Sequence, residues 1–126
     1  MILIINLKPY YSIKLMTIVQ DYLSLTEKWK KEYGEKTLLL MQVGSFFESY
    51  GLLDKHGNIY GSEIVDFANI NDMITAKKNI CVGNEKVVMA GFGLPQLEKY
   101  VRKMQDNGYT IVVYTQDTQR RVNCRW

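Results

Sequence analysis

The stretch Leu38-Leu39-Leu40-Met41-Gln42-Val43-Gly44-Ser45-Phe46-Phe47-Glu48-Ser49-Tyr50-Gly51 decides the fold. A mostly apolar run reaches a Gly-Ser pair, and three aromatics and one carboxylate follow it. An apolar run of this length, closed by a turn signal, reads as a buried strand. Glycine at the first of two turn residues supplies the positive φ of a type II′ turn, so Gly44-Ser45 reads as a hairpin turn. Phe46 to Tyr50 is then the return strand. Residues two apart on a strand share a face. Phe46, Glu48 and Tyr50 therefore point one way, and Phe47 and Ser49 the other. Aromatics on strands commonly fill cores, but only one of two adjacent rings can face a given core. Phe47 is assigned to the core. Phe46, beside Glu48, needs a covering element or a partner. Ser45 and Glu48 also fit a capping box at a helix start. A helix beginning at Phe46 would meet Gly51 after little more than one turn, which favours the hairpin.

Before this stretch, Ile18, Tyr22, Leu25, Trp29 and Tyr33 recur at helical spacing. They predict an amphipathic helix over Thr17 to Tyr33, with Thr17 as N-cap and Gly34 as the residue that ends it. Lys28, Lys30 and Lys31 suit its C-terminal end and read as a solvated face. After the hairpin, Asp54-Lys55-His56-Gly57-Asn58 is a turn cluster, with His56 a loop residue. A second helix is expected from Ser62, as N-cap, to about Met73, with Ile64, Phe67 and Ala68 facing inward. Met73 to Val82 stays open between loop and strand. Its Lys77-Lys78 is the best-placed basic pair in the middle of the chain. Lys86 to Phe92 reads as a strand, since Gly91 and Gly93 exclude a continuous helix. Pro95 is expected to open a third helix with Leu97, Tyr100, Val101 and Met104 inward, ended by Gly108. Tyr109 to Thr115 is a β-branched closing strand. The fold class expected is α/β in the α+β sense: a mixed β-sheet of four to six strands flanked by about three helices.

The 126 residues suit one domain with a real core. The net charge of +3 permits an anionic partner without demanding one. Two cysteines, Cys81 and Cys124, stand far apart, so no disulfide framework is expected and an intracellular, reducing compartment is the default. With His56 the single histidine, no zinc-ligand spacing exists, and no metal or cofactor is expected. The apolar run Met1 to Leu7 is too short to span a membrane and lacks a positive leader before it. It reads as an extra edge strand or a leader. No nucleotide-binding glycine pattern occurs, no G-x-S-x-G elbow, and no Asp or Glu has Lys two positions on. Catalysis is therefore not expected.

Several segments in register resemble one known family. Gly44-Ser45-Phe46-Phe47-Glu48 resembles the Gly-x-Phe-Tyr/Phe-Glu signature of the N-terminal mismatch-recognition domain, domain I, of the MutS DNA mismatch-repair family. Gln20-Asp21-Tyr22-Leu23, Met89-Ala90-Gly91-Phe92, and Leu97-Glu98-Lys99-Tyr100-Val101 followed by Gly108-Tyr109 match its further segments in order. The resemblance covers Thr17 to Asp117. It divides the chain into an extension (1–16), the domain (17–117) and a polar basic tail (118–126). Phe92-Gly93-Leu94-Pro95 departs from the apolar-Pro-Tyr-His stretch usual in the family.

The resemblance implies a module that grips double-stranded DNA carrying mismatches or small loops, with no membrane partner. Phe46 would stack on the mispaired base and Glu48 would hydrogen-bond it. Lys77, Lys78 and the arginines 120, 121 and 125 are the candidate phosphate contacts. Full family members continue into further domains, bind ATP there and work as dimers. The chain would then be an excised domain, a split gene or a truncated product. Two other readings compete: a nuclease- or resolvase-like enzyme on a related α/β fold, and a fragment that keeps the fold with little DNA affinity.

Overall fold

The computed structural model describes residues 1–6 and 15–116. In chain order it contains β1 (Ile2–Asn6), α1 (Leu15–Tyr33), β2 (Thr37–Val43), β3 (Phe46–Leu53), β4 (Ile59–Tyr60), α2 (Ile64–Ile70), β5 (Ala76–Val82), β6 (Glu85–Gly93), a 3₁₀ turn (Leu94–Gln96), α3 (Leu97–Asp106) and β7 (Thr110–Thr115). The strands form one sheet in the order β1-β7-β2-β3-β6-β5, with β4 paired to the far end of β3. β7 runs parallel to both β1 and β2, and the remaining pairs are antiparallel. The α+β class is as expected, with seven strands among the described residues where four to six were expected. The difference comes from β1, which takes the edge-strand alternative, and from β4, whose two residues are too few to show alternation.

The hairpin is a two-residue connection. Val43 pairs with Phe46, and Gly44 has φ +60°. Ser45 lacks a positive φ, so the turn is type II′ rather than I′. Strand alternation then sorts the core into two layers. Leu38, Leu40, Phe47, Val88, Ala90, Phe92, Ile111 and Val113 face α2 and α3. Leu39, Met41, Tyr50, Leu52, Val87, Val112 and Tyr114 face α1, which contributes Ile18, Val19 and Tyr22. The central strands are apolar on both faces because helices cover both.

Three helix boundaries differ from expectation. α1 begins at Leu15, so Thr17 is an exposed residue inside it rather than its cap. α2 covers only Ile64–Ile70. Asp72, with φ +54°, turns the chain out of the helix, and the Met73 amide closes the turn on the Ala68 carbonyl at 2.8 Å. The inward residues of α2 are Ile64, Phe67 and Ala68, as the spacing predicts. Ser62 lies just before the helix, where its hydroxyl accepts the Ile64 amide at 3.2 Å. Pro95 falls in the 3₁₀ turn, and α3 starts two residues later. The arginines 120, 121 and 125 and Cys124 lie outside the described residues. Among the described residues no helix is long and apolar enough to cross a membrane.

Candidate functional site

Burial rises steeply along one face of β3. Phe46 is 52% exposed, Glu48 8%, and Tyr50 is fully enclosed. All three share the α1 face, and the gradient follows the cover, since the Tyr22 ring of α1 sits edge-on to Tyr50 at 5.3 Å. Phe47, on the opposite face, is 1% exposed and packs against Phe92 at 5.9 Å. The alternation read from the sequence is thus the one observed.

The turn that presents Phe46 is pinned from several sides. The Gln42 side-chain amide donates to the Gly44 carbonyl at 3.2 Å, and its oxygen accepts the Gln116 amide at 2.8 Å. The Leu94 amide donates to the Ser45 carbonyl at 3.1 Å. A pinned turn has little backbone freedom left to lose when a partner meets the ring it presents.

Phe46 and Glu48 open into a cleft of about 360 Å³ that Ile74, Ala76, Lys78, Met89, Ala90 and Gly91 also line. Ile74, in the loop before β5, is 90% exposed. The basic pair is divided. Ala76 pairs with Met89, and Lys77 with Val88, a residue of the α2/α3 layer. Alternation therefore places Lys78 on the cleft face and Lys77 on the other. Lys77↔Val88 and Cys81↔Lys86 leave Lys78, Asn79 and Ile80 opposite the single Val87, which makes a bulge at the cleft.

Glu48 stands where a carboxylate needs a donor, because burying a charge without one is costly. The Tyr50 hydroxyl donates to Glu48 Oε1. Burial, and then the hydrogen bond to Glu48, push the Tyr50 hydroxyl well above the ordinary tyrosine range, so it keeps its proton. Among the described residues no donor is bonded to Glu48 Oε2. The cleft thus offers an exposed ring, a carboxylate oxygen and one ammonium group. His56 stays in the Asp54–Asn58 turn, its amide on Asp54 Oδ1 at 2.8 Å, and takes no part. Among the described residues no cluster of His, Cys, Asp and Glu could hold a metal ion.

Four residues of the site escape the sequence reading. Gln42 carries a legible signal, an amide inside an apolar strand run. Gly91 carries another, since glycine inside a strand marks a close backbone approach. A Cβ at Gly91 would lie 2.5 Å from the Phe47 carbonyl oxygen and 3.2 Å from Glu48 Cγ. Ile74 and Met89 carry none, because each sits in a segment whose apolar residues have no distinguishing period.

The sequence model of MutS domain I matches residues 18–123. The chain is also similar to a protein of Acanthamoeba polyphaga mimivirus named as a DNA mismatch repair protein mutS homolog. The two are 33% identical over 104 residues, which is 82% of this chain and 9% of that protein. The chain therefore spans about a tenth of the length of this relative.

Proposed function

The chain belongs to the MutS domain I family, and on that premise we propose that it is a DNA-binding module that recognises mispaired or unpaired bases in duplex DNA. Phe46 is the wedge that stacks on the displaced base, Glu48 accepts a hydrogen bond from it, and Lys78 holds a nearby phosphate. The observation that carries this reading is the half-exposed Phe46 ring beside the Glu48 carboxylate in one cleft. The ring offers a stacking face and the carboxylate a hydrogen-bond acceptor within one opening.

The chemistry is discriminating. A mispaired or looped base costs less to unstack than a paired one, so a wedged and kinked complex favours damaged duplex. Stacking on an aromatic is worth about 1–3 kcal/mol per base and tolerates any base. A carboxylate close to phosphates is unfavourable by itself, so its presence supports a specific base contact. The module carries out no catalytic step. The relative is much longer than this chain, so in a parent of that kind the module would stand beside further domains, where we place ATP binding and dimerisation.

Fluorescence anisotropy with a matched and a singly mismatched duplex at low salt tests the reading. Phe46→Ala should remove the preference for the mismatch, a loss of roughly fivefold to a hundredfold in mismatch affinity. Equal losses on both duplexes would make Phe46 a general contact and overturn the wedge.

A further inference from the structure

The carboxylate of Glu48 is held by one donor, and that donor is itself held. Tyr50 lies two residues on along β3 and so shares the face of Glu48. Its ring is sealed beneath α1, edge-on to Tyr22 at an interplanar angle of 86°. Tyr22 is fixed in turn, its hydroxyl on the Leu39 carbonyl of β2 at 2.7 Å. The Tyr50 carbonyl accepts the Ser62 hydroxyl, which ties this part of β3 to the start of α2. A relay of ordered groups therefore runs from the core to the rim of the cleft and ends on Glu48 Oε1.

We propose that Tyr50 is the positioning residue for base recognition: by holding Glu48 Oε1 from beneath, it leaves Oε2 as the single oxygen presented to a base stacked on Phe46. This inference rests on the mismatch reading above. A glutamate carboxylate turns freely about its last torsion. Free, it would have to be ordered by the base itself, and that ordering would subtract from the contact. Anchored, it meets the base with no such loss. The anchor touches no DNA, so it cannot add to affinity for intact duplex, which comes from phosphate contacts.

Tyr50→Phe keeps the ring and removes only the donor. In the full chain, by anisotropy on matched and mismatched duplexes, its mismatch preference should fall roughly threefold to tenfold while matched-duplex affinity holds. Glu48→Ala removes what Tyr50 holds, so adding Tyr50→Phe to Glu48→Ala should change the preference no further. The double variant leaves no buried carboxylate orphaned, and the comparison stands even where Tyr50→Phe alone is too unstable to titrate. A native preference in Tyr50→Phe would overturn the proposal. So would a fall on going from Glu48→Ala to the double variant, because that loss would not pass through Glu48. Phe46→Ala separates the two levels. If it keeps the preference, the mismatch reading fails and this inference with it. If it loses the preference while Tyr50→Phe retains it, only the positioning role fails.

Discussion

Phe46 and Phe47 are adjacent in the chain and stand on opposite sides of the sheet, 52% and 1% exposed. The pleat alone separates them. One ring belongs to the layer beneath α2 and α3, and the other is left at the mouth of a cleft beside Glu48. The same alternation that builds the core thus sets an aromatic platform at its edge.

Truncating the two rings should therefore have opposite consequences. Phe47→Ala removes a fully buried ring from contact with Phe92 and should cost about 3–5 kcal/mol. Phe46→Ala should change stability by no more than about 0.5 kcal/mol, as for an ordinary surface position. Urea denaturation of both variants checks this. Similar losses would return Phe46 to the core.

The hairpin turn rests on Gly44. A Cβ there would meet no atom within 4 Å, so the only obstacle to a side chain is the φ of +60°. Gly44→Ala should cost about 1–3 kcal/mol through backbone strain alone, because L side chains rarely adopt the first central position of a type II′ turn. The urea midpoint measures it, and an unchanged midpoint would mean that the turn relaxes to another type.

The paired strands and most of the inward faces of the helices were legible because hydrophobic period and turn chemistry are local properties; Tyr33, the last residue of the stripe read for α1, is instead exposed at the helix end. The Gly44-Ser45 turn and the division of Phe46 from Phe47 follow from them directly. Helix ends were less legible. Ser62 sits one residue before the cap position and accepts the Ile64 amide, but its hydroxyl also donates to the Tyr50 carbonyl from across the fold, and nothing local signals that second bond. The two-residue β4 exists only because β3 offers it an edge. Within the site, Phe46 and Glu48 could be paired by spacing. The separation of Lys77 from Lys78 depends on the register of β5 with β6, which single-strand pattern does not contain. The role of Tyr50 depends on α1 closing over it.

That separation has a salt signature. If Lys78 neutralises one phosphate, Lys78→Ala should reduce the slope of log affinity against log salt by about 0.9. Lys77→Ala, on the opposite face, should leave the slope as it is. Titrations across a salt series with matched duplex read both. An equal change for the two lysines would argue for a diffuse basic surface in place of a cleft contact.

Alkali should weaken the fold in a defined direction. Burial raises the hydroxyls of Tyr22, Tyr50 and Tyr109 well above their ordinary value of 10.0, with Glu48 adding to the effect on Tyr50 and Asp66 and Glu63 to that on Tyr109. Above that value the unfolded chain releases protons that the folded chain retains. The folded state then binds more protons, so stability falls as pH rises. Its contribution is complete below about pH 9 and declines beyond pH 10. Urea midpoints across this range should be flat and then fall, and Tyr50→Phe should fall less steeply. The part of the tyrosinate absorbance that belongs to Tyr22, Tyr50 and Tyr109 should appear only as the chain unfolds.

Gly91 gives the sharpest test of the cleft, because a second glycine on the same strand serves as its control. Gly91 lies directly across from Glu48, and a Cβ there would come 2.5 Å from the Phe47 carbonyl oxygen, part of a backbone that cannot swing aside. The strands would have to separate or twist, and Glu48 Cγ, at 3.2 Å, would move with them. Gly93 sits two residues on and shares the face, but the nearest atom to its Cβ is Pro95 Cδ at 3.7 Å, an ordinary contact, and its φ of −71° suits any residue. Gly91→Ala should therefore lose about 1–3 kcal/mol of stability, as overpacked sites do. It should also lose its mismatch preference even under conditions where it is fully folded. Gly93→Ala should stay within about 0.5 kcal/mol of the native chain and retain the preference. Denaturation and anisotropy on the same two variants decide the matter. A folded Gly91→Ala that still discriminates would show that the position of Glu48 at the floor of the cleft does not govern recognition.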